Sequence, residues 1–319
     1  MNEQVDRTPS VNRRELLSGT AAAGALALAG IARAEDPPQA ARGNVNQSIV
    51  HWCFQEYWDV EKACEVANQL GCKSVELVAS EHFPTLKRQG LVCALGMGPL
   101  FVQGMNNPRY QEPVTVGIKK SIDACAAMGF PSVIAFTGYA QESGEWADGG
   151  IPDVDNLPAD RPTIEPDEGL RNCVAGFKEV ARYAEQNGVN VSLEMLNTRD
   201  DTHPMKGHPG YQGDHVDYCM EIINQVGSPR FGLLFDIYHV QIMDGDVIRR
   251  IHQCGEAINH VHTAGNPGRC ELDDTQEINY PPCLQALVEI GYEGYVGHEF
   301  IPTRDPFHGL AEAVQLCDV

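Results

Sequence analysis

Short apolar runs alternate with helical patterns along most of this chain. From about residue 47 onward, eight runs read as candidate strands: SIVHWCF, KSVELVA, LVCALGMG, SVIAFTG, NVSLEML, FGLLFDIY, INHVHTA and YVGHEF. Strands that are buried on both faces show such short, nearly continuous apolar runs. Between the runs, segments such as DVEKACEVANQLG and GLRNCVAGFKEVARYAEQNG place apolar residues at spacings of three and four, which indicates amphipathic helices.

The order of these elements predicts the fold class. QLGCKSVEL, AMGFPSVIA, QNGVNVSLE and EIGYEGYVG repeat one unit, a helix that ends at glycine followed by a buried strand. Strands that alternate with helices pair in parallel. Eight such units in about 270 residues match a closed (β/α)₈ TIM barrel better than an open sheet. We therefore expect a single α/β catalytic domain over residues 47–319.

The N-terminal segment has a different character. NRRELLSGTAAAGALALAGIARA combines the pair Arg13 and Arg14 with a short apolar stretch and an A-x-A cleavage motif that ends at Ala34. This pattern predicts a twin-arginine export signal over residues 1–34 and a periplasmic protein. An uncleaved anchor is the alternative, but the apolar run is shorter than the ~20 residues that span a bilayer, so we expect no stable membrane insertion.

Two other polar regions are expected outside the regular elements. The proline-rich residues 35–46, EDPPQAARGNVN, read as a flexible linker. Two long polar loops follow the fourth and fifth apolar runs, over residues 137–162 and 197–215. Loops of this length usually carry function. In a barrel both loops belong to the active face.

Charge and cysteine content narrow the class of partner. The formal net charge of −21 opposes a phosphate backbone, which argues against nucleic acid as a partner. Eleven cysteines occur singly with no C-x-x-C pair, so most are expected to be buried small hydrophobic residues, although disulfides stay open. We expect a small-molecule substrate and leave a homo-oligomer open.

Acids and a histidine stand at the ends of four successive predicted strands. They are Glu194, Asp236, His262 and Glu299. In a barrel these side chains converge at the C-terminal mouth, where three carboxylates repel each other unless a cation lies among them. Oxygen ligands with one imidazole suit one divalent ion, Mn²⁺ or Mg²⁺ first, with Co²⁺ or Zn²⁺ as further candidates.

The same region carries a resemblance to a known family. Five segments resemble hydroxypyruvate isomerase and its neighbours among the xylose-isomerase-like barrels: SLEMLNTRD, LLFDIYHVQIMDGD, HVHTAGNPGR, QEINYP and GYVGHEFIPTRDP. These barrels form a sugar-phosphate isomerase and epimerase family that includes ketose 3-epimerases. The resemblance covers residues 47–310. It implies that Glu194 and Glu299 bind the metal and move a proton between adjacent carbons, while Asp236 and His262 complete the metal shell.

Further residues follow from the resemblance and from position. His239, one turn beyond Asp236, is a candidate hydrogen-bond donor to a substrate oxygen, and Arg269 is placed to pair with a substrate carboxylate. Asp200 matches a substrate-contacting acid in the family, or else caps its own loop. The more local candidates are His51 as a pocket residue, Trp52 as a core residue, and Glu76, whose direction strand alternation leaves open.

These features predict a metal-dependent aldose-ketose isomerase, an intramolecular oxidoreductase that acts on hydroxypyruvate or a similar 2-keto-3-hydroxy compound through an enediolate. Hydroxypyruvate isomerases often carry glutamine where this chain has His262, so a ketose or cyclic-polyol 3-epimerase is the alternative. A non-catalytic metabolite-binding barrel is the second alternative. A metal-dependent endonuclease would need more histidine ligands and a basic groove, and neither is visible.

Overall fold

Regular elements occur where the apolar runs predict them. The computed structural model describes residues 43–141, 162–202 and 205–319. The strands are β1 (Asn46–Val50), β2 (Ser74–Glu76), β3 (Ser132–Ala135), β4 (Asn190–Glu194), β5 (Phe231–Asp236), β6 (Ile258–Thr263) and β7 (Tyr295–His298). The helices are α1 (Val60–Leu70), α2 (Phe83–Arg88), α3 (Gln111–Met128), α4 (Pro166–Asn187), α5 (Val216–Val226), α6 (Ile237–Met243), α7 (Val247–Cys254), α8 (Tyr280–Glu289) and α9 (Pro306–Leu316).

All seven strands pair in parallel, in the order β2-β1-β7-β6-β5-β4-β3. The predicted third strand, LVCALGMG, lies between the two outer strands and joins them. Leu77 N donates to Leu95 O at 2.9 Å on one side, and Gly96 N donates to Ser132 O at 2.8 Å on the other. The TIM barrel predicted from the alternation of strands and helices is therefore confirmed.

The third run differs from the prediction in regularity. It makes isolated parallel bridges, Ser74 with Val92 and Gly96 with Val133, in place of a continuous ladder. The backbone amide of Ala94 is bonded to Ser74 Oγ at 2.9 Å and so does not bond to a strand carbonyl. A side chain thus interrupts the ladder at the position where a regular strand would continue.

Two separate sets of buried side chains lie on the two faces of the sheet. The main apolar core lies between the strands and the surrounding helices. Inside the barrel, a small apolar cluster of Leu95, Ile134 and Leu234 lies below the C-terminal mouth. His260 and His262 share one face of β6, because strand side chains alternate with a period of two. The barrel interior is therefore partly polar, and its polar part leads to the site.

Glycines end several helices as the sequence pattern predicts. Gly71, Gly129, Gly188 and Gly227 follow α1, α3, α4 and α5 in the left-handed conformation. At Gly129 the backbone amide closes the helix by donating to Ala126 O at 3.1 Å. Glycine adopts this conformation without the steric cost of a Cβ atom.

The predicted export signal, residues 1–34, and residues 35–42 of the predicted linker lie outside the described residues. The remaining linker residues lie beside the C-terminus: Gly43 N donates to Asp318 Oδ1 at 3.1 Å, and Asn44 Nδ2 donates to Val319 O at 2.7 Å. Within the part of the chain that the structure covers, no helix is both long and apolar enough to cross a membrane.

The two predicted long loops follow β3 and β4. Residues 142–161 of the first loop lie outside the described part of the chain. The second loop is described except for residues 203–204, and its Met205 and Lys206 carbonyls accept from Arg269 and Tyr238 at the barrel mouth. Tyr211, in this loop, accepts a hydrogen bond from Thr137 N at 2.9 Å and donates one to Glu194 O at 2.8 Å. The loop is thereby tied to the ends of two strands.

Candidate active site

The four residues predicted from the strand ends meet at the C-terminal mouth of the barrel. Glu194 ends β4, Asp236 ends β5, His262 lies near the end of β6, and Glu299 follows β7. One potential ligand atom of each lies within 4.8 Å of those of the other three. Each side chain is between 0 and 4 % exposed. We call these four residues the mouth cluster.

Asp236 serves two purposes at the junction of β5 and α6. Its Oδ1 atom accepts hydrogen bonds from Tyr238 N at 2.8 Å and His239 N at 3.3 Å, which caps the helix. Its Oδ2 atom is buried and has no hydrogen-bond partner among the described residues. Burial and the nearby Glu299 carboxylate raise the pKa of Asp236 to about 8. One oxygen thus stabilises the fold while the other is directed to the site.

The orientation of His262 depends on a residue from the opposite side of the barrel. His262 Nε2 lies 2.8 Å from Glu76 Oε1, and His260 Nε2 lies 2.8 Å from the same oxygen. We call Glu76, His260 and His262 the inner cluster. His262 Nδ1 points to the mouth, 3.0 Å from Glu299 Oε2 and 3.5 Å from Glu194 Oε1.

Burial and hydrogen bonding act oppositely on the acids of the two clusters. Burial opposes the charge of Glu76, but the two histidines outweigh it and lower the pKa of Glu76 to about 2. At Glu194, burial prevails and raises the pKa above its usual range. Glu76 is therefore an ionised acceptor, whereas the nearby Arg269 does not offset the effect of burial on Glu194 and Asp236.

Two side chains donate hydrogen bonds to Glu299. Trp52 Nε1 donates to its Oε1 atom at 2.9 Å, and Arg269 Nη2 donates to its Oε2 atom at 2.5 Å. Although burial opposes its charge, Arg269 and His262 keep the pKa of Glu299 well below its usual range. Trp52, expected mainly as a core residue with a pocket position as the alternative, is half-buried. It packs against the main apolar core and also donates to Glu299, the acid that follows β7.

Arg269 lies inside the site and has little contact with solvent. Its guanidinium lies 5.2 Å from the Trp52 ring and 5.7 Å from the Tyr238 ring. Its Nη1 atom donates to Met205 O in the second long loop, and its Nη2 atom lies 4.0 Å from Asp236 Oδ2. Its Nε atom has no partner in the described structure. Both terminal nitrogens thus donate to the protein, while Nε is buried without a partner among the described residues.

His239 presents a donor to the mouth cluster. Its Nδ1 atom accepts from Asn197 N at 3.0 Å and lies 2.8 Å from Asn197 Nδ2. Burial holds the pKa of His239 well below its usual value, so the ring is neutral and carries its hydrogen on Nε2. Nε2 lies 3.6 Å from Asp236 Oδ2. A substrate oxygen at the mouth would meet an N–H group here.

Asp200 and His51 have local contacts. Asp200 Oδ1 accepts from Thr202 N at 3.0 Å and from Thr202 Oγ1 at 2.6 Å, which stabilises its own loop. His51 Nε2 lies 3.0 Å from Trp58 O. These contacts show a structural use for both side chains, and the substrate-binding role of Asp200 stays a prediction.

Two residues near the site were not identified from the sequence. Glu76 had been left open because β2 is short and its alternation does not fix a face. His208, in the second loop, is 3 % exposed and packs edge-on against Phe101 with ring centroids 4.5 Å apart. Burial lowers the pKa of His208 to about 3. Only the path of the loop over the mouth brings His208 within 5.8 Å of the His239 ring.

The mouth cluster has the donor set that a divalent cation requires. Glu194 Oε1, Asp236 Oδ2 and His262 Nδ1 are buried without a hydrogen-bond partner in the described chain. Buried polar atoms normally have partners, and one cation among these three atoms could satisfy all of them together. Carboxylate oxygens with one imidazole nitrogen are suitable ligands for a divalent metal ion, which these residues could hold.

Curated relatives share part of this chain. A 2-oxo-tetronate isomerase of Cupriavidus necator is 32% identical over 165 residues, which is 50% of this chain and 60% of that protein. Putative hydroxypyruvate isomerases of Homo sapiens and Mus musculus are 29% and 26% identical, over 64% and 82% of this chain and 66% and 91% of theirs. The chain therefore covers less than two thirds of the first two relatives.

Solved structures share the fold. An AP endonuclease of family 2 from Brucella melitensis superposes with a TM-score of 0.68 at 23% identity, over 84% of this chain and 97% of that one. A D-allulose 3-epimerase from Methylomonas sp. superposes with a TM-score of 0.60 at 18% identity, over 85% and 89%. At these identities the likeness shows the fold alone. The family model described as xylose isomerase-like TIM barrel matches residues 85–318. The chain therefore belongs to the xylose isomerase-like TIM barrel family.

Proposed function

We propose that the protein is a metal-dependent isomerase that acts on hydroxypyruvate or a similar small 2-keto-3-hydroxy compound. The observation that carries the proposal is the placement of Glu194 and Glu299 in one buried cluster with Asp236 and His262. The isomerase names of the curated relatives support this reaction class. A binding protein would need only a metal shell, whereas two glutamates at one point suit the movement of a proton.

The reaction moves one carbon-bound proton. A carboxylate of the Glu194 and Glu299 pair removes the proton from C3, next to the ketone, which leaves an enediolate. Return of a proton to C2, together with transfer of the hydroxyl proton from the C3 oxygen to the C2 oxygen, gives an aldehyde at C3 and a hydroxyl at C2. A divalent ion at the mouth cluster would stabilise the negative charge of the enediolate.

Other side chains would orient the substrate and exclude water. The Nε2–H group of His239 is free to donate to a substrate oxygen near Asp236. Arg269 and Trp52 keep Glu299 ionised and fix its direction. Because every member of the mouth cluster is at most 4 % exposed, the reacting carbon would be shielded from solvent.

Contacts of Arg269 favour a second candidate, a ketose or cyclic-polyol 3-epimerase. Both terminal nitrogens of Arg269 already donate to the protein, through Met205 O and Glu299 Oε2, so its guanidinium is less available to a substrate carboxylate than an uncommitted one. His262 supports the same candidate, since ketose epimerases carry histidine at this position. An epimerase would return the proton to the same carbon from the other face, with the same pair of glutamates.

Incubation of the purified protein in heavy water, with hydroxypyruvate or with a ketose, distinguishes the isomerase from the epimerase. We expect aldehyde formation from hydroxypyruvate, with deuterium incorporated at carbon, and loss of turnover after chelation of divalent ions. Turnover of the ketose alone would favour the epimerase. Isomerisation without deuterium in the product would overturn the paired-carboxylate mechanism, because hydride transfer carries hydrogen directly from carbon to carbon.

We further propose Mn²⁺ or Mg²⁺ as the native ion, with Co²⁺ or Zn²⁺ as substitutes, and elemental analysis tests the identity of the ion.

We also propose export in the folded state. All eleven cysteines lie in the described part of the chain as free thiols, and ten are buried, which suits folding in a reducing compartment before export. Replacing Arg13 and Arg14 by lysine should keep the precursor in the cytoplasm, and processed periplasmic protein would contradict this route.

A further inference from the structure

Glu76 and His260 of the inner cluster lie on the side of His262 that faces away from the mouth cluster. Glu76 comes from β2, and both histidines come from β6 across the barrel. One oxygen, Glu76 Oε1, lies 2.8 Å from His260 Nε2 and 2.8 Å from His262 Nε2. The three side chains are at most 1 % exposed. Both histidines therefore approach one carboxylate oxygen in an interior that excludes solvent.

These distances fit hydrogen bonds better than a second metal site. Ligand atoms about 2.0–2.2 Å from one ion in a tetrahedral shell lie more than about 3 Å apart. A separation of 2.8 Å between nitrogen and oxygen is the length of a charge-assisted N–H···O hydrogen bond. A metal here would also use His262 Nε2 and leave a hydrogen on Nδ1, which would remove His262 from the mouth cluster.

The direction of the hydrogen bond selects the tautomer of His262. If Nε2 carries the hydrogen that Glu76 accepts, Nδ1 of the neutral ring keeps its lone pair, and Nδ1 is the atom that faces Glu194 and Glu299. A carboxylate that accepts a hydrogen bond from the other ring nitrogen fixes the ring and raises the basicity of a metal-bound imidazole. We infer that Glu76 is a positioning residue, which orients His262 as a metal ligand while His260 holds Glu76 in place. This inference rests on the proposed metal site.

A glycine on the neighbouring strand leaves space for this contact. A Cβ atom at position 297 would lie 2.6 Å from Glu76 Oε1 and 2.9 Å from His262 Cδ2. Real side chains essentially never approach so closely, so any larger residue in β7 would displace Glu76 or His262. The space beside Gly297 is therefore a second, independent feature that suits the Glu76–His262 contact.

The test measures metal affinity directly, so it does not depend on an assay of turnover. Titration of the metal-free protein with Mn²⁺, followed by calorimetry, should show binding that is about 10- to 100-fold weaker in Glu76→Gln. The visible absorption spectrum of the Co²⁺-loaded protein should shift, because the imidazole ligand loses its anionic partner. If Glu76→Gln does not fold, Glu76→Met removes both hydrogen bonds at similar volume and carries the same expectation.

The matched control is Gln47→Leu. This change breaks another buried contact with a histidine, between Gln47 Oε1 and His298 Nε2 at 2.8 Å. Gln47 lies in β1, and its Nε2 atom donates to Val314 O in α9. This variant should keep the parent's metal affinity. Equal losses in Gln47→Leu and Glu76→Gln would show a general loss of barrel packing and would overturn the inference.

A double-mutant cycle separates orientation of the ring from general stabilisation. Alanine at position 262 removes both ring nitrogens and with them the contact to Glu76. In the His262→Ala background, Glu76→Gln should therefore change the Mn²⁺ affinity by less than about threefold. An undiminished loss in that background would overturn the positioning role. Parent protein that binds no divalent ion would instead refute the metal site itself, and unchanged affinity in Glu76→Gln alone would refute only the role of Glu76.

Discussion

The mouth cluster and the inner cluster are built from the same residue types and share His262, yet their hydrogen bonds differ. In the inner cluster both imidazole Nε2 atoms have a carboxylate oxygen at 2.8 Å. In the mouth cluster, Glu194 Oε1, Asp236 Oδ2 and His262 Nδ1 are buried without hydrogen-bond partners in the described residues. Buried acids and histidines therefore indicate a ligand site only where their lone pairs converge without donors.

The pKa directions express the same contrast. The two histidines lower the pKa of Glu76 to about 2 against the effect of burial, whereas burial and Glu299 raise the pKa of Asp236 to about 8. In the inner cluster two imidazole nitrogens lie at hydrogen-bond distance from the carboxylate, whereas in the mouth cluster three carboxylates face one another and a cation could balance their charge. Changes to the mouth cluster should therefore abolish function, while changes near the inner cluster should weaken it.

The largest effect is expected from Glu194→Gln and Glu299→Gln. Each change removes a proton-transferring carboxylate, so turnover of hydroxypyruvate should fall by at least about 10²- to 10⁴-fold. Steady-state kinetics measure the loss. Glu271→Gln is the control, since Glu271 is equally buried but accepts from Thr303 N and Thr303 Oγ1, both at 2.8 Å. Near-parental turnover in both mouth variants would refute the mechanism.

Asp236→Asn tests the metal shell without removing the helix cap. An asparagine oxygen can still accept from Tyr238 N, so the variant should fold, but the anionic Oδ2 atom is lost. Loss of a residue that only hydrogen-bonds a metal ligand lowers metal affinity by up to about 100-fold. Because Asp236 would be a ligand itself, calorimetry should show a larger loss of Mn²⁺ affinity in Asp236→Asn. Asp59→Asn, at the cap of α1, is the control. Metal held as tightly as in the parent would show that Asp236 is not a ligand.

Gly297→Ala perturbs the contact between the two clusters. Its added Cβ atom crowds Glu76 and His262, so we expect Mn²⁺ binding about tenfold weaker. Overpacking should also lower the free energy of unfolding by about 1–3 kcal/mol. Gly232→Ala is the control, because its Cβ atom would instead meet Ala257 O at 2.5 Å. Denaturant titrations and calorimetry on both variants separate the two effects, and equal metal affinities would contradict the expectation.

Trp52→Phe should have the smallest effect of the four. It removes the hydrogen bond from Nε1 to Glu299 Oε1 but keeps an aromatic ring beside Arg269. A hydrogen bond to a charged group contributes about 1.5 kcal/mol or more, so turnover should fall by about tenfold. Trp58→Phe is the control, since Trp58 stacks on Phe54 with centroids 5.0 Å apart. If both variants are equally active, the contact with Glu299 does not matter for turnover.

Periodicity along the chain was sufficient to predict the barrel and the convergence of the four strand-end residues. Alternating strands and helices leave few parallel topologies, and carboxyl ends of parallel strands share one edge, so Glu194 and Asp236 were expected to converge. The irregularity of the third run, at residues 91–98, was not predictable because a side-chain hydroxyl from β2 interrupts its ladder. A local pattern does not reveal such a contact between strands.

The hydrogen-bond partners of the site residues and the path of the second loop were decided by the tertiary structure alone. Trp52 and Arg269 reach Glu299 from loops that are distant in sequence, and His208 reaches the mouth because its loop crosses the barrel. Glu76 faces inward and meets both histidines of β6 only because the closed barrel places β2 opposite that strand. The sequence determined which side chains stand at the strand ends, since spacing along the chain sets that. Which of their atoms have partners depends on contacts between distant segments, and only packing in three dimensions decides it.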